Sequence, residues 1–162
     1  MSEISIITPN ENDYHDLSIM VGELLNEIMQ TIGDKVFNYN QVETEKRAKN
    51  LIENNKYWVF LARNNESEKN IGFVSLYESY ALYSEGEYGT IPELYVRPKY
   101  RSKSVGIMLL NKASEFAVIK GWGRLEVTTP PLPEFDKTLK FYQKNGFSIA
   151  GGRKLKIDVK AL

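Results

Sequence analysis

The passage that most constrains the fold is ELYVRPKYRSKSVGIMLL, residues 93–110. It opens as an apolar strand and, from Val105 onward, continues as an apolar helical pattern. The turn between them carries four cations within seven residues, Arg97, Lys99, Arg101 and Lys103. A helix start presents unpaired N–H groups and the positive end of the helix dipole, so cations placed there favour an anionic ligand. The passage therefore predicts a strand–turn–helix unit with a site for a phosphate group at its bend.

Strand-like and helix-like segments alternate along the rest of the chain, which predicts a mixed α/β fold. Strands are predicted at residues 4–8, 57–63, 71–77, 88–96 and 124–129, with two closing strands at 147–150 and 153–159. Helices are predicted at residues 13–30, 44–53, 104–119 and 136–145, the third ending at Gly121. A length of 162 residues suits one domain, so we expect a single domain over residues 1–162.

Pro92 interrupts the strand predicted at residues 88–96. Proline has no N–H, so within a sheet it lies either at an edge or where the pairing of strands opens. An opening would leave backbone groups of Leu94 to Val96 free to bind something else. The local sequence favours neither alternative over the other.

The composition excludes several kinds of site. The chain has no cysteine, which rules out disulfides, thiol nucleophiles and zinc–thiolate centres. Its first residues are acidic and polar, unlike a signal peptide, and no apolar run reaches the roughly 20 residues that span a bilayer. Residues 1–96 carry 16 acidic and 7 basic side chains, whereas residues 97–162 carry 5 and 14, so one half suits a cationic partner and the other a polyanion. We expect a cytoplasmic protein without a membrane partner or a metal.

The known nucleotide-binding motifs are missing from the bend. Neither the GxxxxGK[ST] motif for nucleoside triphosphates nor the GxGxxG dinucleotide fingerprint occurs in the chain. Four cations in one turn of a chain with zero net charge are a poor footprint for nucleic acid, so we expect no such partner. A basic loop that binds RNA stays as the weakest alternative.

Two motifs resemble those of the GNAT superfamily of acyl-CoA-dependent N-acetyltransferases. ELYVRPKYRSKSVG resembles its central motif, in which a strand ending in L-x-V precedes Arg or Gln and then x-x-Gly-x-Gly or Ala at a helix start. FYQKNGFSIAGGRK resembles the second landmark, a tyrosine (here Tyr142) followed after three residues by Gly146 and Phe147. The resemblance covers residues 57–150, and the N-terminal helices in outline. It implies a single-domain GNAT fold, a mostly antiparallel central sheet splayed at the cofactor site and flanked by about four helices, with acetyl-CoA as co-substrate.

The resemblance also implies which residues contact the cofactor. Carried over position by position, they are Leu94, Tyr95, Val96, Arg101, Ser102, Lys103, Ser104, Val105, Gly106 and Ile107. Arg101 matches the Arg/Gln position and Gly106 the last glycine, whereas Ser104 stands where the first glycine is usual. Phe135 is a second departure, because the family often has Asn seven residues before the tyrosine.

By the same resemblance, acetyl transfer would use three groups. The Leu94 N–H would bind the thioester oxygen, and Tyr142 would be the general acid for the departing thiolate; the alternative for Tyr142 is a core aromatic beside Phe141 and Phe147. Glu93 is our candidate base, directly or through a water, although a solvent-facing strand residue is an equal alternative. Other acids near the expected groove are Glu78, Glu85 and Glu87.

The resulting hypothesis is an N-acetyltransferase that moves an acetyl group from acetyl-CoA to a primary amine by direct attack in a ternary complex. The alternative is a non-catalytic acyl-CoA-binding regulatory module of the same fold. The acceptor, a small-molecule or peptide amine of cationic character, would lie against the N-terminal helices and the loop 77–89. A homodimer through the last predicted strand is one option for the assembly.

Overall fold

Six strands form one sheet with α-helices against both faces, in a computed structural model that describes residues 3–160. The strands are β1 Ile4–Ile7, β2 Trp58–Asn64, β3 Lys69–Ser79, β4 Tyr88–Ile91, β5 Leu94–Val96 and β6 Leu125–Val127. The helices are α1 Tyr14–Ile32, α2 Gln41–Glu53, α3 Val105–Lys120 and α4 Asp136–Lys144, with 3-10 helices at Glu11–Asp13 and Pro98–Lys103. This architecture confirms the predicted mixed α/β fold.

The sheet is mostly antiparallel and splayed. Strand order is β1–β2–β3–β4–β6, and only the β4–β6 pair is parallel. β5 follows β4 along the chain but pairs with β3 alone. Because β6 pairs with β4 and not with β5, the sheet opens between β5 and β6, as predicted.

Two apolar cores flank the sheet, and they fix the direction of each side chain on β5. Helix α1 covers one face, with Leu17 and Met20 packed against Tyr95. Helices α3 and α4 cover the other face, where Leu94 and Val96 pack at the edge of the core. Each fully buried large apolar side chain stabilises the fold by about 1.5–3 kcal/mol. Side chains of β5 thus pack into both cores, which positions the strand beside the gap.

The strand predicted at residues 88–96 is divided into β4 and β5. Tyr77 of β3 lies opposite Thr90, whereas Val74 lies opposite Leu94, so the register shifts by one residue between them. Three residues, 91–93, thus face two residues of β3, which is a β-bulge. Of the two alternatives for Pro92, the structure shows an opening of the pairing.

The two closing strands predicted at residues 147–150 and 153–159 are wrong. The segment after α4 has no regular secondary structure within the described residues. Its alternating apolar side chains are almost fully exposed: Leu155 at 90%, Ile157 at 87% and Val159 at 92%. A strand requires a hydrogen-bonded neighbour, and no strand of residues 3–160 pairs with this segment. Within the same residues, no helix has the length and apolar character that a membrane span requires.

Candidate active site

On the edge of β5 that faces away from β3, the peptide groups of two residues point into the gap between β5 and β6. The N–H of Ser75 donates to the carbonyl of Glu93 at 3.0 Å, and the N–H of Arg97 donates to the carbonyl of Ile71 at 2.8 Å. Peptide groups alternate in direction along an antiparallel strand, so those of Leu94 and Val96 point away from β3. β5 has no strand on that side within the described residues. The N–H of Leu94 therefore faces the space between β5 and β6.

The turn after β5 presents a set of amides at the start of α3. It is the 3-10 helix Pro98–Lys103, followed by Ser104 in the left-handed conformation, with φ of 62° and ψ of 21°. The first α-helical bond runs from the N–H of Met108 to the carbonyl of Ser104, at 3.1 Å. The N–H groups of residues 105–107 consequently have no acceptor inside the helix, and no side chain caps them. An anion fits this position.

Arg97, one of the four cations in the predicted basic turn, makes its contacts within the fold. Arg97 donates to Asp16 at 3.1 Å, to Glu23 at 3.0 Å and to the carbonyl of Asn70 at 2.7 Å. These contacts join α1 to the sheet, and Arg97 is half-buried among them. Its guanidinium is therefore not available to a ligand in the turn.

The other cations of the turn differ in their partners. Arg101 donates from Nε to the carbonyl of Val96 at 2.7 Å and pairs with Glu27 at 2.7 Å. Lys99 and Lys103 have no acidic partner within residues 3–160, and each lies 5.9 Å from the ring centre of Tyr100. Two unpaired ammonium groups therefore lie in the turn beside the free amides.

Gly106 lets α4 approach the start of α3. A Cβ added at this glycine would lie 3.3 Å from the ring of Phe141 and 4.0 Å from the side chain of Val96. Contact at 3.3 Å is tighter than packed side chains normally allow. The absence of a side chain thus brings α3, α4 and β5 together at one point, with Tyr142 adjacent on α4.

Tyr142 combines a buried ring with a reachable hydroxyl. The residue is 5% exposed, and its ring centre lies 5.3 Å from those of Phe141 and Phe147. Burial raises the pKa of Tyr142 above the ordinary value of about 10. The hydroxyl makes no hydrogen bond within residues 3–160, yet no buried side-chain oxygen there is unsatisfied, so this oxygen is open to solvent. Tyr142 is therefore protonated at neutral pH and free to donate to a ligand.

Glu93 lies at the bulge, held by two hydroxyl groups. Its Oε1 accepts from Tyr57 at 2.6 Å and from Ser75 at 2.5 Å. Its Oε2 has no hydrogen bond within the described residues. The ring of Tyr57 stacks on Tyr77 with centres 6.2 Å apart, on the α1–α2 face of the sheet. The structure thus places one free carboxylate oxygen on the face opposite α4.

The other candidate acids lie elsewhere. Glu78 accepts from the indole of Trp122 at 2.7 Å and from the hydroxyl of Tyr80 at 2.5 Å. The Tyr80 bond, followed by the Trp122 bond, lowers the pKa of Glu78. Glu85 and Glu87 are exposed in the loop between β3 and β4. None of the three shares the hydrogen-bonded cluster around Glu93.

Sequence reasoning missed Ser75 and Tyr57. Ser75 is the one small polar residue inside the apolar strand IGFVSLY, and it is fully buried. A buried hydroxyl has to find a hydrogen-bond partner, so this interruption of an apolar run was the available signal. Tyr57 gives no such signal, because an aromatic residue at a strand start is ordinary.

Two open clefts lie near the α1–α2 face and the β3–β4 loop. The first, of about 330 Å³, lies between α1 and the segment before α2, and Glu23, Asn26, Tyr39 and Gln41 provide its polar lining. The second, of about 400 Å³, is formed by the β3–β4 loop itself, including Tyr80 and Glu87. Both are candidates for an acceptor groove.

The splayed sheet, with its free amides beside the gap, is the architecture of a class of α/β acyl transferases. A family model described as "Acetyltransferase (GNAT) domain" matches residues 53–149. The chain belongs to the GNAT acetyltransferase family, which confirms the resemblance seen in its two motifs. No curated protein matches the sequence.

Solved structures share the fold at low sequence identity. The aminoglycoside N-acetyltransferase AAC(6')-Iy in complex with CoA has a TM-score of 0.79 at 15% identity, over 98% of this chain and 96% of that one. A transcriptional regulator from Bacillus halodurans C-125 has a TM-score of 0.77 at 21% identity, over 96% and 99%. A ribosomal-protein-alanine N-acetyltransferase from Brucella melitensis biovar Abortus 2308 has a TM-score of 0.73 at 17% identity, over 98% and 100%.

Proposed function

We propose that the protein transfers an acetyl group from acetyl-CoA to a primary amine by direct attack in a ternary complex. The observation that carries the proposal is the outward direction of the Leu94 and Val96 peptide groups, beside the free amides at the start of α3. Acetyl transfer is the activity of the family to which the chain belongs. The acceptor, the cofactor contacts and the residue roles are the proposal.

The turn fits the pyrophosphate of CoA. The amides of residues 105–107 lack helical acceptors, and Lys99 and Lys103 lack acidic partners in the described chain. Arg101 would support this site indirectly, because its Nε holds the carbonyl of Val96. The proposed contacts are Leu94, Tyr95, Val96, Arg101, Ser102, Lys103, Ser104, Val105, Gly106 and Ile107. The structure of AAC(6')-Iy, which contains CoA, supports the assignment by its similarity of fold.

The reaction forms one C–N bond and breaks the thioester C–S bond. The Leu94 N–H, directed into the gap, would donate to the carbonyl oxygen as negative charge develops on it. Tyr142 would donate a proton or a hydrogen bond to the departing sulfur. Its raised pKa keeps the proton in place at neutral pH but makes the phenol a weaker acid than free tyrosine.

Glu93 is the proposed base for the acceptor ammonium. Its Oε2 is free and lies on the α1–α2 face, whereas Tyr142 lies on the α4 side of the sheet. Glu93 would take the proton from the ammonium nitrogen, and Tyr142 would donate to the sulfur. Both atoms are bonded to the carbonyl carbon in the tetrahedral intermediate, so the two groups can act on it from different sides of β5.

A cationic amine is the proposed acceptor class. The carboxylate of Glu93 and the acidic first half of the chain favour a positively charged substrate. The similar solved structures include enzymes named for aminoglycosides and for ribosomal-protein alanine, and both substrates are amines. That residues 1–162 act as one cytoplasmic domain stays a prediction from the sequence.

Release of free thiol from acetyl-CoA, measured across a panel of aminoglycosides, polyamines, amino acids and N-terminal peptides, tests the proposal. Steady turnover with at least one amine, and none without it, is the expected result. Binding of acetyl-CoA with no turnover across the panel would refute it.

The second candidate is a non-catalytic acyl-CoA-binding module. It is favoured by Ser104, which adopts the left-handed conformation at a position where the family usually has glycine. One similar solved structure, with a TM-score of 0.77, is described as a transcriptional regulator. The same fold therefore also occurs in a protein that is not named as an enzyme. Thermal stabilisation by acetyl-CoA without thiol release would support this candidate over the enzyme.

A further inference from the structure

Ser75 replaces a missing backbone partner at the bulge. In a regular antiparallel ladder, Ser75 and Glu93 would exchange two backbone hydrogen bonds. One of these remains, from the Ser75 N–H to the Glu93 carbonyl at 3.0 Å. For the other, the Glu93 N–H donates to the Ser75 hydroxyl oxygen at 3.1 Å instead of to a carbonyl. A side chain thus completes the pairing where the strand divides.

The same hydroxyl also fixes the Glu93 side chain. Ser75 Oγ donates to Glu93 Oε1 at 2.5 Å, so one fully buried hydroxyl binds both the backbone and the carboxylate of the neighbouring residue. Tyr57 adds a second donor to the same Oε1, at 2.6 Å. With Oε1 occupied twice, the free Oε2 is left in a defined direction.

We propose that Ser75 is a positioning residue for acetyl transfer, setting the direction of both the Leu94 N–H and the Glu93 carboxylate. Leu94 follows Glu93 directly, so the bulge that Ser75 holds determines where the Leu94 amide points. This inference rests on the proposed function, in which that amide binds the thioester oxygen and Glu93 takes the ammonium proton. A single buried hydroxyl on β3 therefore couples the two groups across the reacting centre.

The test compares Ser75→Ala with Ser5→Ala. Ser5 lies on β1, at the edge of the sheet farthest from the gap, and its hydroxyl donates to Asn65 at 2.9 Å, so it is a control serine outside the proposed site. A misplacement of about 1 Å costs about 100-fold in rate, so Ser75→Ala should lower kcat by about 10- to 100-fold. The KM for acetyl-CoA should stay within about threefold, since the amides at the start of α3 are untouched. Ser75→Thr, which keeps the hydroxyl, should restore most of kcat, and Ser5→Ala should leave kcat unchanged.

A second variant tests whether a loss of activity comes from the Glu93 contacts or from misfolding. Tyr57→Phe removes one donor to Glu93 Oε1 and keeps the ring stacked on Tyr77, so it should lower kcat by a smaller factor than Ser75→Ala. A kcat per folded molecule within about twofold of the wild type in Ser75→Ala would overturn the proposal. An equal loss of kcat in Ser5→Ala would overturn it too.

The NMR signal of the Leu94 amide distinguishes failure of this inference from failure of the proposed transferase function. In protein labelled with ¹⁵N-leucine, with the Leu94 peak assigned through Leu94→Val, acetyl-CoA should move that peak in the wild type and in Ser5→Ala. The movement should be much smaller in Ser75→Ala. If the wild type binds acetyl-CoA but acetylates no amine, the function fails while this comparison still decides the role of Ser75 at the amide. Equal movement in Ser75→Ala, or none in the wild type, would refute the inference.

Discussion

The guanidinium of Arg101 pairs with Glu27 of α1 at 2.7 Å while its Nε holds the Val96 carbonyl at 2.7 Å. Its charge is therefore largely compensated within the protein. Lys103, two residues later, has only the ring of Tyr100 beside it in the described chain. We therefore propose different roles for these two cations: Arg101 fixes the end of β5, and Lys103 would supply charge to a bound anion.

We therefore expect different effects from reversing these two charges. Lys103→Glu should weaken acetyl-CoA affinity by about five- to tenfold, about 1 kcal/mol, without lowering the melting temperature of the free protein. Arg101→Glu should lower both the affinity for acetyl-CoA and the melting temperature of the free protein, because the new carboxylate also repels Glu27. The variant with both substitutions should show no thermal shift with acetyl-CoA. Thermal melts with and without acetyl-CoA measure this, with Lys69→Glu as the control. A Lys103→Glu protein stabilised by acetyl-CoA as strongly as the wild type would contradict the assignment.

Ser104→Gly should stabilise the free protein. The left-handed conformation at φ of 62° costs a residue with a Cβ about 1 kcal/mol, and glycine avoids that cost. We also expect tighter binding of acetyl-CoA, because the amides at the start of α3 would be less hindered. Glu68→Gly relieves the same conformation, at φ of 58°, far from the turn. It should therefore stabilise the protein in urea unfolding without changing affinity, and an affinity gain equal to that of Ser104→Gly would contradict our account.

Tyr142→Phe should lower kcat by about 100-fold, the typical contribution of a general acid, while the KM for acetyl-CoA changes little. The free energy of unfolding should change little too, since the hydroxyl makes no hydrogen bond within the described residues. Tyr14→Phe is the control, because Tyr14 is 6% exposed and lies at the start of α1, away from the gap. Steady-state kinetics measures both variants. Unchanged kcat in Tyr142→Phe would remove Tyr142 from the mechanism.

The protein should lose stability at alkaline pH. Burial, followed by the charge of Glu23, raises the pKa of Tyr95 to about 12, and burial raises the pKa of Tyr142. Unfolded tyrosines ionise at about 10, so above that pH the unfolded state has released protons that the folded state still holds. The contribution of these tyrosines to the free energy of unfolding should be constant from pH 7 to about pH 9 and then fall as pH rises towards the folded pKa values. Urea unfolding at pH 8 and 11 measures the fall, which should be smaller in Tyr95→Phe; an equal fall in both proteins would contradict the assignment.

Much of the fold followed from local pattern. The apolar periodicity of α1, the hairpin of β2 and β3, and the glycine ending α3 all depend on neighbours along the chain. Gly121 indeed adopts φ of 74° and donates to the carbonyls of Ala117 and Val118. The error at residues 153–159 has the opposite origin, because alternation of apolar residues shows that a strand is possible but not that a partner strand exists.

The parts of the candidate site that consist of backbone groups could be predicted from the sequence in part. The turn after β5 depends on a helix start, which is visible in the sequence. At Pro92 the missing N–H is visible too, but it left a sheet edge and an opening of the pairing as equal alternatives. The partners of side chains were not visible. Ser75 meets Glu93 across 18 positions of the chain, and Glu27 meets Arg101 across 74, so only the packed fold brings them together.

A crystal structure with CoA bound tests the central claim most directly. We expect the diphosphate on the amides of residues 105–107 and the pantetheine arm in the gap between β5 and β6, within hydrogen-bonding distance of the Leu94 and Val96 peptide groups. CoA bound elsewhere, or a paired β5 and β6 with the gap closed, would contradict the account.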